Sequence, residues 1–174
     1  NNNHKIKFYN SIALRGLLKK STNRDISIYL GSNFHFVTYP LNQNNEINFI
    51  SIIREKNLHH IGKGNDDKLK ENYLNMLSLR SNYNFEDNLS DTSMYPIFVS
   101  NNICVPKNKN IFISGDALCA FPPSFAQGAS QSLESSFEIF RNLEEERDNY
   151  YTIRNKVIKK IKFRSELNQF AFHV

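Results

Sequence analysis

A glycine, an acid and a run of small residues follow one another in the middle of this sequence, and their order could create a binding site. Gly115 and Asp116 come directly after the apolar run Ile111–Ile113, which predicts a short buried strand. A carboxylate at a strand end is well placed to accept hydrogen bonds from ligand hydroxyls, because ligands of α/β sheets bind at such ends. Asp116 is therefore the first candidate for a ligand contact.

A helix is predicted to begin at Gln127, and its first residues Gly128, Ala129 and Ser130 are small. The free N–H groups and positive dipole end of a helix N-terminus stabilise an anion or a polarised carbonyl. Glycine also lets a flat ligand approach the backbone. A flavin would suit both the acid at the strand end and the helix N-terminus. Its ribityl hydroxyls would contact Asp116, and the N1–C2=O edge of its ring would face Gly128. The alternative is an ordinary strand–loop–helix connection with a capping acid.

The order of these residues resembles the second flavin motif of the para-hydroxybenzoate hydroxylase family of FAD-dependent aromatic-ring monooxygenases. The family motif reads roughly Gly-Asp-Ala-x-His-x-x-x-Pro-x-x-Gly-Gln-Gly-x-Asn. Residues 115–130 read Gly-Asp-Ala-Leu-Cys-Ala-Phe-Pro-Pro-Ser-Phe-Ala-Gln-Gly-Ala-Ser, without a gap. The resemblance implies that FAD is the cofactor and that these residues contact it: Gly115, Asp116, Ala117, Pro123, Gln127, Gly128, Ala129 and Ser130.

Three positions depart from the family motif. Cys119 stands where the motif has His, Ala126 where it has Gly, and Ser130 where it has Asn. Ala126 adds a Cβ atom to a tight loop. Cys119 is either a small buried residue or a reactive thiol. None of the three changes removes Asp116 or the helix N-terminus.

The family also has an N-terminal βαβ unit with the sequence Gly-x-Gly-x-x-Gly, which binds the FAD pyrophosphate. This sequence contains neither that motif nor the family's internal Asp-Gly motif. The resemblance therefore implies the flavin-ring end of an FAD site without its ADP end. We expect a fragment, a split gene product or a decayed enzyme, and the missing N-terminal half could be a separate chain.

The remaining elements predict an α+β fold. Residues 6–54 read as an antiparallel meander with strands at Ile26–Leu30, Phe34–Leu41 and Ile47–Ile53, with a turn at residues 42–45. A polar loop over residues 57–66 precedes a helix at residues 67–79, and Tyr95–Val99 predicts another strand. Weaker likenesses to the salicylate-hydroxylase-like branch extend over nearly the whole chain. We expect a substrate-layer sheet and helix in residues 1–94, the C-terminal part of the FAD-binding domain in 95–148, and a helix and tail in 149–174.

Two C-terminal helices are predicted from apolar stripes at three- and four-residue spacing. The helix that begins at Gln127 carries Ala129, Leu133, Phe137 and Phe140 on one face. The second, over residues 149–166, carries Tyr150, Ile153, Val157 and Ile161. Its basic residues, which we interpret as a solvated face, are Lys159, Lys160, Lys162 and Arg164.

Composition excludes several classes of protein. Hydrophobic residues make up 40% of the 174 residues and aromatic residues 13%, which is enough for a folded core. There is no apolar run of membrane-spanning length. Two cysteines are too few for a disulfide framework, so a cytoplasmic setting is expected, and no metal site is predicted. The net charge of +5 is scattered, so a basic nucleic-acid-binding protein is a disfavoured alternative.

The resemblance implies an NAD(P)H- and O2-dependent hydroxylation of an aromatic or related small organic substrate. The cofactor would carry out that chemistry, and no catalytic acid or base is assigned. Candidate substrate contacts are Phe36, Tyr39, Phe49 and Pro122, and the alternative for the three aromatic residues is a plain core role. A non-catalytic remnant of such an enzyme is the alternative function.

Overall fold

The computed structural model describes residues 5–19, 25–41, 46–56, 66–81, 83, 85, 89–108 and 110–173. The predicted turn at residues 42–45 and residues 57–65 of the predicted loop lie outside this range, and Asp66, the last residue of that predicted loop, begins a helix. The chain divides into two compact units, one of Asn1–Tyr9 and Phe98–Ala171 and the other of Asn10–Ile97 and Phe172–Val174. The elements are β1 (Ile6–Leu18), β2 (Ser27–Gly31), β3 (Phe34–Leu41), β4 (Glu46–Arg54), α1 (Asp66–Arg80), β5 (Leu89–Ser100), α2 (Gly115–Cys119), a 3₁₀ turn (Pro123–Phe125), α3 (Gly128–Glu144) and α4 (Tyr150–Phe172).

The strands form one sheet in the order β2-β3-β4-β1-β5. The β2–β3, β3–β4 and β4–β1 pairs are antiparallel, so the α+β class and the predicted meander are confirmed. The first strand pairs with β4 and not with β2, with Leu14 opposite Ser51. Strand β2, which follows β1 in the sequence, therefore lies at the far edge of the sheet.

The core of the unit formed by Asn10–Ile97 lies on one face of the sheet. Phe36 and Phe49 point to this face and meet Phe85, with ring centroids 5.6 and 5.2 Å from that ring. Leu77 of α1 is fully buried in the same cluster, and Tyr73 packs against it. The predicted helix at residues 67–79 is thus confirmed, with one further residue at each end.

The opposite face of the sheet holds a pair of buried histidines. His35 Nδ1 and His173 Nε2 are 2.9 Å apart, and Phe172 packs edge-on against the His35 ring. Burial, with the neighbouring His173, lowers the pKa of His35 to about 4. Burial, with the nearby Arg54, lowers the pKa of His173 to about 4. Both rings are therefore neutral at pH 7 and share one hydrogen bond.

The unit that contains Phe98–Ala171 has its own small core, in which Leu118 and Cys119 of α2 pack with Ile103, Tyr150 and Ile158. The C-terminal helix α4 extends to Phe172, beyond the predicted end at residue 166. None of the helices within the described residues is long and apolar enough to span a membrane.

The apolar stripe that predicted α3 does not face this core. Leu133, Phe137 and Phe140 are 74%, 60% and 57% exposed, so most of the predicted stripe lies outside the core of this unit. The buried side chains of α3 are Gln131, Ser135 and Asn142, which make hydrogen bonds. The fully buried side chains of α3 are therefore polar, while the half-buried Ile139 packs against the small core.

The buried face of α4 also differs from the predicted stripe. Tyr150 and Ile161 of that stripe are buried, whereas Ile153 and Val157 are only half-buried. Arg154 and Ile158 occupy the buried positions between Tyr150 and Ile161. The basic residues Lys159, Lys160 and Arg164 are exposed as predicted, but Lys162 donates to the carbonyl oxygens of Ser100 and Asn101, at 2.8 and 3.1 Å.

The segment Ile111–Ile113 is not a strand, contrary to prediction, and Ile111 is 48% exposed. Its backbone groups bond to tyrosine hydroxyls of α4. The Tyr150 hydroxyl donates to the Ile113 carbonyl at 2.8 Å, and the Tyr151 hydroxyl donates to the Ile111 carbonyl at 2.9 Å. The Ile113 N–H donates to the Tyr151 hydroxyl at 3.1 Å. These hydroxyls form the backbone hydrogen bonds that a neighbouring strand would otherwise form with this segment.

Candidate functional site

The predicted acid lies in the first turn of the short helix α2. Gly115 has φ +60°, a conformation that glycine adopts without the Cβ clash other residues meet. This residue turns the chain so that Asp116 is exposed while Leu118 and Cys119 are buried. The carboxylate is therefore accessible to a ligand, although it follows an irregular segment and not the predicted strand.

Backbone hydrogen bonds fix α2 to the rest of its unit. The Cys104 N–H donates to the Leu118 carbonyl at 2.7 Å, and the Ser100 N–H donates to the Ala120 carbonyl at 2.7 Å. The Ala120 N–H in turn donates to the Ser100 hydroxyl at 3.1 Å. Asp116 is thus carried by a short helix that is held at its C-terminal end.

The loop between α2 and α3 places one residue in the left-handed region. Pro122 is buried and Pro123 is exposed at the start of the 3₁₀ turn. Ala126 has φ +52° and ψ +32°, and its N–H donates to the Pro123 carbonyl at 2.9 Å. A left-handed conformation favours glycine, which gives a physical reason for glycine at this point of the motif that the sequence resembles.

The start of α3 is open to a ligand. Gln127 precedes the helix, and its side chain makes no capping hydrogen bond. Gly128, Ala129 and Ser130 are exposed, and a Cβ atom built on Gly128 would meet nothing within 4 Å. The first turn carries no acidic residue. This helix terminus therefore presents backbone N–H groups to an anion or polarised carbonyl without a competing carboxylate.

The structure packs α2 against α3. A Cβ atom built on Gly115 would lie 3.1 Å from Ser132 Oγ, in the second turn of α3. The Ser132 hydroxyl donates to the Gly128 carbonyl at 3.1 Å. The short helix that carries the predicted ribityl-binding acid thus contacts the helix whose start is predicted to face the flavin ring.

Arg154 of α4 holds the first turns of α3 in place. Its side chain is 1% exposed, and Nη2 donates to Gln131 Oε1 at 2.6 Å and to the Gln131 carbonyl at 3.3 Å. Nη1 contacts Glu134 Oε2 at 3.1 Å. Sequence reasoning assigned this residue no role, because a charged residue on a helix usually faces solvent. Its spacing of four residues from Tyr150 and from Ile158 placed it on the buried stripe.

Cys119 is 2% exposed, and burial raises the pKa of its thiol, partly offset by Lys162. The thiol is therefore protonated near neutral pH, which disfavours a nucleophilic role because the thiolate is the reactive form. Of the two alternatives for this residue, its position agrees with the small buried side chain.

The three aromatic candidate substrate residues lie on both faces of the sheet. Phe36 and Phe49 are 0% exposed in the core cluster. Tyr39 is 39% exposed and lies on the opposite face of the sheet, because it pairs with Asn48 while Phe49 pairs with Thr38. Pro122 is buried in the other unit. Phe36 and Phe49 occupy the positions of core aromatics.

A cleft of about 250 Å³ lies in the unit of Phe98–Ala171, and its lining includes Lys107, Phe112, Arg147 and Tyr151. None of the predicted flavin contacts lines it. Among the described residues, no cluster of His, Cys, Asp and Glu side chains could hold a metal ion.

Comparison with known proteins identifies relatives by fold alone. No protein-family model matches the sequence, and no curated protein matches it either. Salicylate hydroxylase in a substrate complex superposes with a TM-score of 0.70 at 16% identity, covering 97% of this chain and 48% of that chain. HpxO of Klebsiella pneumoniae, complexed with FAD and uric acid, gives 0.70 at 12% identity, covering 97% and 46%. The flavin-dependent halogenase CmlS gives 0.66 at 11% identity, covering 93% and 32%.

The fold of this chain is thus that of the C-terminal part of FAD-dependent hydroxylases. The chain spans less than half the length of each of these three structures. The activities and ligands of these three proteins are known for those proteins alone. A function for this chain has to be argued from the residues described above.

Proposed function

We propose that this chain is the flavin-ring-binding part of an FAD-dependent monooxygenase. The observation that carries the proposal is the contact between α2, which carries exposed Asp116, and α3, which begins at exposed Gly128. This contact occurs on a fold shared with salicylate hydroxylase and FAD-bound HpxO. The gap-free motif over residues 115–130 supports the same assignment.

The residues present fit a flavin. The Asp116 carboxylate would accept hydrogen bonds from ribityl hydroxyls, and charged acceptors make strong hydrogen bonds. The backbone N–H groups at Gly128, Ala129 and Ser130 would stabilise negative charge on the N1–C2=O edge of the ring. Gly115, Ala117, Pro123 and Gln127 would complete the surface, with Pro123 exposed beside the ring.

The bound FAD would supply the redox chemistry, with NAD(P)H as the reductant, O2 as the oxidant and a small organic molecule as the substrate. The part of this chain is to bind and orient the ring and to favour its reduced, anionic form. Arg154 supports that role by fixing Gln131, which follows the ring-facing residues directly. Tyr39 is the one exposed aromatic residue among the candidate substrate contacts.

The proposal also assigns the parts of the chain. Residues 1–94 would form the substrate layer, residues 95–148 the C-terminal part of the FAD-binding layer, and residues 149–174 a supporting helix and tail. The ADP moiety of FAD would be bound by a Gly-x-Gly-x-x-Gly unit outside this sequence. Such a unit would belong either to the same polypeptide or to a separate chain.

An equilibrium titration with FAD tests the proposal. We expect saturable perturbation of the flavin absorption bands by the purified chain. Asp116→Asn should raise the Kd about tenfold or more, because hydrogen bonds to a charged group contribute about 1.5–3 kcal/mol. A chain that leaves the flavin spectrum unchanged at every concentration would contradict the proposal.

The matched control is Glu144→Gln. Glu144 is an exposed acid at the far end of α3, about 24 Å from Gly128 at a helical rise of about 1.5 Å per residue. It loses the same charge as Asp116→Asn, so a general electrostatic effect would change both Kd values equally. We expect the control to bind FAD as the unchanged chain does.

A further inference from the structure

The outward side of α4 carries three large apolar side chains. Phe163, Leu167 and Phe170 are 66%, 54% and 70% exposed. At 3.6 residues per turn, their directions around the helix axis lie within about 60° of one another. Arg154, which binds Gln131 of α3, points to the opposite side of α4, about 180° from Phe163. The helix therefore packs against its unit on one side and exposes apolar surface on the other.

Three lysines continue this outward side towards the start of α4. Lys156, Lys159 and Lys160 are exposed, and each lies within about 60° of the direction of Phe163. Within the part of the chain that the structure describes, none of the three lysines forms an ion pair. We call these residues together the α4 outer strip, which is about 21 Å long: Lys156, Lys159, Lys160, Phe163, Leu167 and Phe170.

The charge on and beside the α4 outer strip is mainly positive. Arg164, which is exposed, lies beside it and adds a fourth cation. The one acidic residue of residues 156–170 is Glu166, which lies at the margin of the strip. The strip itself therefore presents three cations and no carboxylate.

We propose that the α4 outer strip docks this protein onto an anionic lipid surface, with α4 lying in the plane of the interface. Phe163, Leu167 and Phe170 would enter the boundary between headgroups and acyl chains. The lysines would contact the phosphates and carboxylates of the headgroups. Docking of this kind needs neither FAD nor Asp116, so it is independent of the proposed function.

The composition of the α4 outer strip favours lipid over other partners. Lysine is depleted in protein–protein interfaces, whereas helices that lie on membranes combine lysine with phenylalanine and leucine. The methylene stem of a lysine can also lie beside apolar groups while its ammonium group reaches a headgroup. A nucleic-acid duplex would match the charge of the lysines, but it offers no apolar phase to Phe163, Leu167 and Phe170.

A single introduced tryptophan tests this docking in the full chain, because the sequence contains no other tryptophan. The Phe170→Trp variant is mixed with vesicles of phosphatidylcholine and phosphatidylserine in equal parts. We expect the emission to shift to shorter wavelengths and to be quenched by brominated acyl chains. Binding to vesicles of phosphatidylcholine alone should be weaker by about tenfold or more, because each lysine contributes to attraction by anionic lipid.

The matched control is Phe137→Trp. Phe137 is also an exposed phenylalanine, at 60%, but it belongs to α3, which packs on the side of α4 away from the α4 outer strip. We expect its emission to stay unchanged when the protein binds vesicles. Both replaced side chains are exposed, so circular dichroism spectra should match that of the unchanged chain.

The role of the lysines is tested by a pair of double variants. Lys159→Gln with Lys160→Gln should weaken binding to the anionic vesicles about tenfold or more. Lys68→Gln with Lys107→Gln removes two exposed lysines from elsewhere in the chain and should weaken binding by a much smaller factor. Equal weakening by the two double variants would show attraction by net charge alone and would overturn the proposed orientation.

The tryptophan variants give further outcomes that would overturn the proposal. A shift of equal size at positions 170 and 137 would indicate adsorption without a preferred side. An unchanged emission at position 170 on anionic vesicles would show that the α4 outer strip stays in water. A shift at position 170 that grows with protein concentration in the absence of lipid would assign the strip to self-association.

Discussion

Arg154 Nη2 lies 2.6 Å from Gln131 Oε1, and this hydrogen bond joins the buried face of α4 to the first turns of α3. The same guanidinium also contacts Glu134 Oε2 at 3.1 Å. The arginine is 1% exposed and the glutamate is 55% exposed. The two interactions of the guanidinium therefore contribute differently to the free energy of unfolding. The buried amide contact holds the helix, and the ion pair at the surface contributes less.

We predict that Arg154→Met lowers the free energy of unfolding by about 2–4 kcal/mol, because a buried polar group loses its partner. Glu134→Gln should cost no more than about 1 kcal/mol, since its side chain is half exposed. Urea denaturation followed by circular dichroism measures both. An equal loss of unfolding free energy in the two variants would contradict the claim that the contact with Gln131 contributes more than the contact with Glu134.

Ala126 provides a test of the loop between α2 and α3. It has φ +52°, which costs a residue with a Cβ atom roughly 1 kcal/mol relative to glycine. We predict that Ala126→Gly raises the free energy of unfolding by up to about 1 kcal/mol. The thermal midpoint of the variant checks this, and a clear loss of stability would show that Ala126 does not adopt the left-handed conformation.

Two glycines of the candidate site should respond differently to alanine. Gly115 has φ +60°, and a Cβ atom there would be 3.1 Å from Ser132 Oγ, so Gly115→Ala should cost about 1–2 kcal/mol of stability. A Cβ atom on Gly128 meets nothing within 4 Å. Gly128→Ala should therefore leave stability unchanged or raise it by up to about 1 kcal/mol, while hindering the approach of a flat ligand.

The measurements for this pair are denaturation and flavin titration on each variant. We expect Gly128→Ala to weaken flavin binding without loss of stability. Unchanged flavin affinity in Gly128→Ala would argue against ring contact at the start of α3.

The pair of His35 and His173 predicts a loss of stability in acid. Both pKa values are lowered to about 4 from the ordinary 6.5, so the unfolded state binds more protons than the folded state between these values. The free energy of unfolding therefore falls as the pH drops from about 6.5 towards 4. We expect the pair to account for a loss of about 2–4 kcal/mol between pH 7 and pH 5.

His173→Gln, which keeps a hydrogen-bonding side chain without this titration, is the matched variant. Urea denaturation at pH 7 and pH 5 should give a clearly smaller difference for the variant than for the unchanged chain. The same pH dependence in both proteins would assign the acid sensitivity to other groups.

The sheet and helices followed closely from the sequence, because they depend on local signals. Phe34–Leu41 is a strand with the predicted bounds, and α3 begins next to the predicted Gln127. The pairing of β1 with β4 could not be predicted, since strand order depends on contacts distant in sequence. The strand expected at Ile111–Ile113 failed because an apolar run does not reveal whether a partner strand exists.

The candidate site was predicted in part. The motif residues Asp116 and Gly128 occupy exposed positions in the first turns of two helices that contact each other, and their role as flavin contacts stays a prediction. Arg154 was missed because a charged residue on a helix suggests solvent exposure. The exposure of Leu133 and Phe137 was missed because periodicity identifies an apolar face without showing which neighbour covers it.

The most direct test of the central claim is a competition between the two ends of FAD for binding to this chain. Riboflavin carries the ring and ribityl chain, and ADP-ribose represents the other end. We predict that riboflavin binds, that Asp116→Asn weakens its binding about tenfold or more, and that excess ADP-ribose does not displace it. Displacement by ADP-ribose, or the absence of riboflavin binding, would contradict the assignment of the flavin-ring end of the site to this chain.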